Sequence, residues 1–511
     1  MYNPCEIKNL NTTNKNNNSL EDLTVIELCS GIGAQMKGIN NTHLFNAKMI
    51  ATADLDKEVV VSYAAIHCGL TNELIEEYKY YPSKEEMVKQ LTEKRLGYDF
   101  KKDKPYDWEK LSRKKDKTKG IEKYWLADHI SHNLGDITQI KDLPYSDLLT
   151  YSCPCTDISI SGKQEGLKWT CCNCNYEYDP SDLDVNTRYI CPKCGSSNIK
   201  STRSGLLYEV ERLLVKAKEN NTLPKYLLME NVDALVSKKY IDNFTDWLVR
   251  LDSLGYNSYY QTINAKNTGI PQNRNRIFCI SIRKDIDTKS FEFPQPFDTG
   301  IRLKDLLETD NSVLKKYFLS DEIQRRLQIT DPKFEKNVIG TTKPEFRTIG
   351  QKDLVYKQDS VMGTLVATDY KQPKQLLVDS NELIHIGDLC SEKFQRMYKQ
   401  CRRVYSEKGI APTLDTCGGG NTEPKVERDN LRVVRKLTPK ECHRLMGFDD
   451  IDYENCKAVG MSDTQGYKQS GNSIVTTCIS LLIEHLYKAQ CNNAYICTDE
   501  KMVNFQKPQM D

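Results

Sequence analysis

The sequence lacks any apolar run that approaches the roughly 20 residues needed to span a bilayer. Its N-terminus also lacks the charged-then-apolar pattern of a secretory signal. These absences predict a soluble, intracellular protein. A charge excess of one sign is missing as well, since the formal net charge of the 511 residues is +1. The total argues neither for nor against a polyanionic partner, because local patches decide such binding.

The sequence also lacks the combination of an even cysteine count and an export signal that is typical of disulfide-bonded secreted proteins. The chain has 19 cysteines, spread through apparent core strands and surface segments alike. We therefore expect reduced thiols and metal ligands rather than disulfides.

One basic patch stands out against the neutral total. Residues 79 to 123 hold 15 Lys and Arg against 9 Asp and Glu, with Tyr80, Tyr81, Tyr106 and Trp108 interleaved. A DNA-facing surface and an ordinary solvated surface explain this patch equally well.

Short apolar runs suited to buried strands alternate with helix-like segments. The runs are 24–28, 47–52, 146–152, 226–230 and 276–282, and the helix-like segments include 206–219 and 240–255. This alternation predicts an α/β fold with a doubly wound, mostly parallel, Rossmann-like sheet. Short strands, turns and glycines from about 285 to 430 predict a second, smaller, β-rich domain.

The expected domain organisation follows from these patterns. We predict a disordered tail (1–20), a catalytic domain (21–284) with insertions at 71–130 and 169–200, a small domain (285–455), a return to the first domain (456–490) and a C-terminal tail (491–511).

Candidate ligand-binding residues follow the predicted strands, where such sheets place their sites. Gly31 and Gly33 in ELCSGIG would let the backbone approach a ligand, although closely spaced glycines alone are weak evidence. Asp54 in TADLD is placed to accept hydrogen bonds from ribose hydroxyls, and a helix N-cap explains it equally well.

A more specific constellation follows three later strands. Pro154 and Cys155 enter a loop rich in Ser and Gly, suited to a nucleophilic thiolate on a mobile lid. Glu230 ends the run LLME, and Arg274 and Arg276 precede the run IFCISI. A thiol, a carboxyl and two guanidinium groups at strand ends could together attack an electron-poor ring.

In their order along the chain, these motifs resemble the bacterial and phage DNA cytosine-5 methyltransferase family. The matching segments are ELCSGIG, TADLD, GDIT, PCTDISISGKQEG, TRSGLLYEVERLL, MENV, PQNRNRIF, RVYSEKGIAPTLDTCGGGN, RKLTPKECHRLMGF and YKQSGNSIV. The resemblance covers about residues 24 to 487 apart from the two insertions. It implies a methyltransferase sheet that binds S-adenosylmethionine, joined to a target-recognition domain.

The resemblance also implies a mechanism. Cys155 attacks C6 of cytosine, which makes C5 nucleophilic toward the methyl group of S-adenosylmethionine. Glu230 holds and protonates N3, Arg276 stabilises the thiolate or the base O2, and Asn231 fixes the arrangement, with Arg274 nearby. The target base must leave the duplex stack to be reached.

The same resemblance implies two further sets of residues. The cofactor set is Cys29, Gly31, Gly33, Asp54, Leu55, Asp136, Ile137, Pro154, Leu206, Asn472 and Ser473. The DNA-binding set is Ser159, Ser161, Gln400, Arg403, Tyr405, Thr413, Leu414, Gly418, Gly419 and Gly420. The chain departs from the family at Cys29 and Leu55, where aromatic residues are usual, so adenine stacking is expected to be weaker or supplied elsewhere. Thr156 replaces the usual Gln after the nucleophile.

The second insertion carries two C-x-x-C pairs. Cys171 and Cys174 form one pair, Cys191 and Cys194 the other, and 16 residues separate them. This spacing predicts a four-thiolate structural zinc ribbon over free thiols, with Cys172 an alternative ligand. The ribbon would contact DNA or the small domain when the lid closes, or it is a passive surface insertion.

Two other functions compete with DNA methylation. The same chemistry serves RNA cytosine, although the long recognition segment resembles DNA enzymes, and a catalytically silent DNA-binding protein is the other alternative. We expect double-stranded DNA and S-adenosylmethionine as partners, a monomer and no membrane. The expected location is the cytoplasm, on the nucleoid, of a bacterium or phage-infected bacterium. A cognate restriction endonuclease is an optional partner, and the DNA target sequence cannot be derived.

Overall fold

A computed structural model gives the fold of most of the chain. It describes residues 20–99, 102, 104–152, 168–185, 187–200, 204–308, 313, 315–318, 328–329, 337–342, 353–371, 373–379, 385–388, 403–406, 425–427 and 432–506. Within these ranges, no helix is long and apolar enough to cross a membrane. The expected N-terminal tail lies outside the described residues except for Leu20.

The strands of the described chain are numbered in order. They are β1 (Glu21–Leu28), β2 (Phe45–Ala53), β3 (Leu148–Tyr151), β4 (Trp169–Cys171), β5 (Glu177–Tyr178), β6 (Ile199–Lys200), β7 (Tyr226–Val232), β8 (Tyr256–Asn264), β9 (Gln272–Asn273), β10 (Asn275–Arg283), β11 (Gln328–Ile329), β12 (Val338–Thr341), β13 (Leu354–Lys357), β14 (Met362–Gly363), β15 (Gln375–Asp379), β16 (His385–Asp388), β17 (Arg403–Ser406), β18 (Lys425–Glu427) and β19 (Arg432–Lys436).

The helices are numbered in the same way. They are α1 (Ala34–Thr42), α2 (Lys57–His67), α3 (Asn72–Glu77), α4 (Lys84–Glu93), α5 (Trp108–Ser112), α6 (Ile121–Ile130), α7 (Leu207–Glu219), α8 (Ile241–Leu254), α9 (Pro439–Leu445), α10 (Asp450–Ala458), α11 (Asp463–Asn472), α12 (Thr476–Gln490) and α13 (Thr498–Gln506).

The central sheet has six strands in the order β2-β1-β3-β7-β10-β8. The first four are parallel, and β10 runs antiparallel to both β7 and β8. All five predicted strands are confirmed, as are the two predicted helices, α7 and α8. The polar strand β8 was not predicted, because its half-exposed side chains give no buried apolar run.

Helices cover both faces of this sheet, which confirms the α/β layering. On one face, helices α1 and α12 pack together through residues that include Ile39 and Ile479. On the other face, α7 and α8 bury Leu213 and Trp247 against the strands. Because both faces are covered, the central strands are apolar along their whole length, as in β3, where all four residues are buried.

The basic insertion folds as a group of four helices, α3 to α6, that packs on α2 and α10. Of the four aromatic side chains named above for the basic patch, Trp108 is buried and Tyr81 and Tyr106 are half-buried, whereas Tyr80 is 81% exposed. Trp108, Tyr81 and Tyr106 therefore have a packing role in this helical group.

Two sheets lie in the small domain. Strands β11, β12, β13, β15 and β19 form one sheet and β16, β17 and β18 another. Leu437 and Leu445, which follow the last of these strands, share an apolar cluster with Ile479 of α12 and with Leu376 of β15. Helix α13 occupies part of the expected C-terminal tail, anchored by an Asp499–His485 contact of 2.9 Å.

Candidate active site

The loop after β1 has a backbone that favours glycine. Cys29, Gly31 and Gly33 have φ angles of 54°, 55° and 77°, a region that costs a non-glycine residue energy. A Cβ at Gly31 would meet open space, so room for a ligand exists there. A Cβ at Gly33 would lie 2.2 Å from His67 Nε2, so Gly33 makes room for helix α2 rather than for a ligand.

Behind this loop lies a carboxyl group that the sequence analysis did not single out. Glu27 is fully buried at the end of β1 and accepts hydrogen bonds from the Met36 amide and the Tyr63 hydroxyl. Burial raises the pKa of Glu27 to about 7. Through Met36 it holds the start of helix α1, which follows the glycine loop.

Asp54, at the end of β2, contacts the glycine loop directly. Its Oδ2 accepts the Gly31 amide at 3.0 Å and its Oδ1 accepts the Asp56 amide at 2.9 Å. Burial, reinforced by the Asp56 charge, raises the pKa of Asp54 to about 6, against these hydrogen bonds. The helix N-cap is Asp56, not Asp54, because the Asp56 side chain accepts from Glu58.

Asp136 lies at the same edge of the sheet. It is buried, and its Oδ1 accepts the Thr138 amide at 3.0 Å. Asn133 joins the two acidic segments, because its Oδ1 accepts the backbone amides of both Asp54 (2.9 Å) and Gly135 (3.3 Å). The position of Asn133, two residues before GDIT, was the available sequence signal for this residue.

Glu230 and Arg276 form an ion pair on neighbouring strands. Arg276 Nε lies 3.0 Å from Glu230 Oε1, and Ser152 Oγ donates to Glu230 Oε2 at 2.6 Å. Antiparallel pairing of β7 with β10 sets Arg276 opposite Val232, two residues beyond the carboxylate. Both carboxylate oxygens are thus fixed in a nearly buried position. Ser152 was not predicted as a site residue, although it ends the run at 146–152.

The buried Arg274 side chain links three segments of the chain through hydrogen bonds. Its guanidinium donates to the carbonyls of Leu365 (2.8 Å), Ser473 (2.7 Å) and Gly471 (3.3 Å). These contacts join Arg274 to the backbone of the small domain and to the C-terminal end of α11 with the residue that follows it.

The remaining described candidate residues differ in how far they are buried. Asn231 is buried and its Oδ1 accepts the Val232 amide at 2.9 Å. Ile137 and Ser473 are buried, and Asn472 is exposed at the end of α11. Cys29, Leu55 and Leu206 are half-buried.

The four predicted metal-binding cysteines lie together, with all Sγ atoms within 4.8 Å of one another. Cys171 and Cys194 are 3.5 Å apart, and Cys174 and Cys191 are 3.6 Å apart, far beyond the length of an S–S bond. Cys172 is exposed and outside the group. No cysteine of the described part of the chain forms a disulfide.

Comparison with known proteins adds the family. The family model described as C-5 cytosine-specific DNA methylase matches residues 110–173 and 193–488. The chain belongs to this family. The methylase activity predicted from the motifs is thereby confirmed: the protein transfers a methyl group from S-adenosylmethionine to C5 of cytosine in DNA. The unmatched stretch between the two ranges falls inside the cysteine insertion.

Named relatives span most of this methylase. It is 28% identical to the type II methyltransferase M2.ScrFI of Lactococcus lactis subsp. cremoris, over 92% of this chain and 100% of the relative. It is 29% identical to the orphan methyltransferase M.SssI of Spiroplasma monobiae, over 92% and 98%. With the type II methyltransferase M.HhaI of Haemophilus parahaemolyticus the identity is 27%, over 68% and 78%.

Several predicted residues of the methylase lie outside the described chain. These are Pro154, Cys155, Ser159, Ser161, Gln400, Thr413, Leu414, Gly418, Gly419 and Gly420. Arg403 and Tyr405 lie in β17, and their side chains are outside the description.

Proposed function

We propose that this methylase forms a covalent adduct between Cys155 and C6 of a cytosine flipped out of duplex DNA. The observation that carries the proposal is the Glu230 carboxylate, held by Arg276 at 3.0 Å and by Ser152 at 2.6 Å. Cys155 follows Ser152 by three residues, so the extended chain limits their Cα separation to about 11 Å. Cys155 is thus joined by a short stretch of chain to a residue that holds the carboxylate.

The residues divide the work on the ring. Cys155 Sγ bonds to C6 while Glu230 shares a proton with N3, which draws the added negative charge out of the ring. Arg276 and Ser152 orient the carboxylate, and the Arg276 cation stabilises the charge that develops on the base. Asn231 and Arg274 are positioning residues, since their described contacts are with backbone groups. After C5 has taken the methyl group, loss of the C5 proton to a base re-forms the C5–C6 double bond, which breaks the C6–S bond and releases Cys155 as a thiolate.

The edge formed by β1, β2 and the GDIT segment suits the cofactor. The open space at Gly31, the Asp54 carboxylate beside it and the buried Asp136 provide a polar cradle that would hold a ribose and a base. S-adenosylmethionine supplies the electrophilic methyl group there. Cys29, Leu55, Ile137, Leu206, Asn472 and Ser473 complete the proposed cofactor set, together with Gly33 and, on the strength of the sequence motif, Pro154.

The small domain is proposed to recognise a specific DNA sequence. Ser159, Ser161, Gln400, Arg403, Tyr405, Thr413, Leu414 and Gly418 to Gly420 are the proposed contacts, on the strength of the sequence motifs. Relatives with type II and orphan names indicate two settings, with a cognate endonuclease or alone. We propose a monomer in the bacterial cytoplasm, on the nucleoid.

The cysteine group is proposed to bind one structural Zn²⁺. The separations of 3.5 and 3.6 Å approach the edge of a tetrahedron with Zn–S bonds of about 2.3 Å. The two C-x-x-C pairs also form the same kind of turn. The Asn175 amide donates to Cys171 O at 2.9 Å, and the Gly195 amide donates to Cys191 O at 2.9 Å. Both donors have positive φ angles, of 54° and 72°.

The catalytic proposal is tested in a host that lacks cytosine methylation. Bisulfite sequencing of DNA from cells that express the protein should reveal methylcytosine at one target sequence. Cys155→Ser should abolish it, and retention of full methylation would refute the nucleophile. Methylcytosine in tRNA but not in DNA would contradict the duplex DNA substrate.

The zinc proposal is tested by elemental analysis of the purified protein. We expect about one zinc per chain in the wild type and in Cys172→Ser, the matched control, and none in the Cys191→Ser, Cys194→Ser double variant. Zinc retained by the double variant would reject the site. Unchanged methylation without zinc would assign the ribbon a passive role.

A further inference from the structure

The turn that follows helix α4 reaches the proposed cofactor edge from the basic insertion. Lys94 O accepts the Asp136 amide at 3.0 Å, and the Gly97 amide donates to Leu55 O at 2.7 Å. Residues 94–98 thus contact the chain on both sides of the polar cradle, directly after Asp54 and at Asp136. The insertion is part of this edge of the sheet and not a separate surface feature.

This turn is held firmly. Lys94 Nζ donates to Asp128 Oδ2 at 2.6 Å and to Asn133 O at 2.7 Å, and Leu96 is buried. A Cβ at Gly135 would lie 2.3 Å from Lys94 O, so the two segments touch closely. Arg95 has a φ of 56°, which a non-glycine residue adopts only when its surroundings fix it.

The turn presents a flat, cationic pair of side chains beside Asp136. Arg95 Nη1 donates to Asp136 Oδ2 at 3.1 Å, and Arg95 Cζ lies 4.3 Å from the centre of the Tyr98 ring. Both side chains are half-buried. A guanidinium stacked on a ring offers planar surfaces of the kind against which heterocyclic bases stack. Leu55, which touches this turn, offers no such surface.

We propose that Arg95 and Tyr98 form one wall of the adenine subsite for S-adenosylmethionine. The inference rests on the proposed function, which assigns Asp54 and Asp136 to the cofactor. Tyr98 contributes the aromatic surface, and Arg95 is a positioning residue that holds both the Asp136 carboxylate and the Tyr98 ring. The insertion thereby supplies the stacking that the Leu55 position lacks.

Calorimetric titration of the purified full chain with S-adenosylmethionine tests this wall. Tyr98→Leu keeps apolar bulk without the flat ring, and we expect a rise in Kd of about 5- to 150-fold, since stacking contributes roughly 1 to 3 kcal/mol per base. Tyr98→Phe should bind within about twofold of wild type. Lys102→Met, a change at an exposed side chain of the same insertion, is the matched control and should not alter Kd.

Arg95 is tested by Arg95→Met and Arg95→Lys. If Arg95 acts through both the stack on Tyr98 and the Asp136 pair, Arg95→Lys keeps the charge but loses the planar stack. The Kd of Arg95→Lys for S-adenosylmethionine should then fall between those of Arg95→Met and the wild type. In steady-state assays both variants should raise KM for S-adenosylmethionine and leave KM for DNA and kcat unchanged. Melting temperatures of the ligand-free variants show whether each protein folds.

The outcomes separate this inference from the site assignment. Asp54→Ala should weaken binding of S-adenosylmethionine in every case in which the assigned edge is the cofactor site. If Asp54→Ala weakens binding but folded Tyr98→Leu and Arg95→Met bind like wild type, the adenine wall is wrong and the site stands. If Asp54→Ala also binds like wild type, the site assignment and the wall both fail.

Discussion

Arg188 Nη1 donates to Glu211 Oε2 at 2.6 Å, and both side chains are almost completely buried between the cysteine insertion and helix α7. Glu211 Oε1 also accepts Arg250 of helix α8 at 2.7 Å. Buried Trp169 and the Tyr189 hydroxyl, which donates to Glu209 at 2.9 Å, strengthen the same junction. The insertion is therefore fixed to two helices of the catalytic sheet.

Arg188→Met should lower the free energy of unfolding by about 3 kcal/mol, because it removes one partner of a buried ion pair. Urea denaturation measures the change. Arg302→Met is the matched control, since the Arg302–Asp298 pair is partly exposed and should contribute less than about 1 kcal/mol. Equal losses in both variants would contradict a special role for the buried pair.

Glu230→Gln should reduce kcat by about 10² to 10⁴-fold without unfolding the protein, because the variant cannot share a proton with N3. Ser152→Ala removes only one hydrogen bond to the carboxylate and should have a smaller effect, about tenfold. Single-turnover methylation of DNA measures both. Exposed Glu219→Gln serves as control, and wild-type activity in Glu230→Gln would reject its assigned role.

Binding of S-adenosylmethionine should weaken as the pH falls through about 6. The pKa of Asp54 is raised to about 6, so below that pH the carboxylate that is proposed to accept from ribose becomes protonated. Kd should then rise up to about tenfold per pH unit. Calorimetry from pH 5 to 8 measures it, with Asp54→Asn expected to bind weakly and without this pH dependence. A wild-type Kd that is constant over the range would argue against Asp54.

Glu27→Gln should stabilise the protein at high pH. Folding raises the pKa of Glu27 from 4.5 to about 7, so between these values the folded chain keeps a proton that the unfolded chain has lost. The free energy of unfolding therefore falls as pH rises through this window, and Gln removes that loss. At pH 8 we expect a gain of about 1 to 3 kcal/mol, and at pH 4 none. Denaturant titrations at both pH values measure the free energy of unfolding, with Glu219→Gln as the control.

Some parts of the site could be derived from the sequence because they are local. A strand followed by an acid or a glycine turn positions that residue whatever lies elsewhere, so Gly31, Asp54 and Glu230 were predicted from their places after apolar runs. Ser152 and Asn133 were missed because their importance lies in long-range hydrogen bonds, to Glu230 and to Asp54. The sequence did not distinguish Arg274 from Arg276. In the structure Arg274 donates to backbone carbonyls, whereas Arg276 pairs with the Glu230 carboxylate.

By itself, the sequence determined five of the six strands of the central sheet, two of the helices that cover it, the order of the methylase motifs and the pairing of cysteines by spacing. Periodicity and short-range spacing carry that information, because they depend on backbone geometry alone. Only the tertiary structure decided what the insertions touch. Residues 94–98 meet Leu55 and Asp136, and Arg188 meets Glu211, through contacts between segments far apart in the chain. Such contacts depend on how whole layers pack, which no local pattern records.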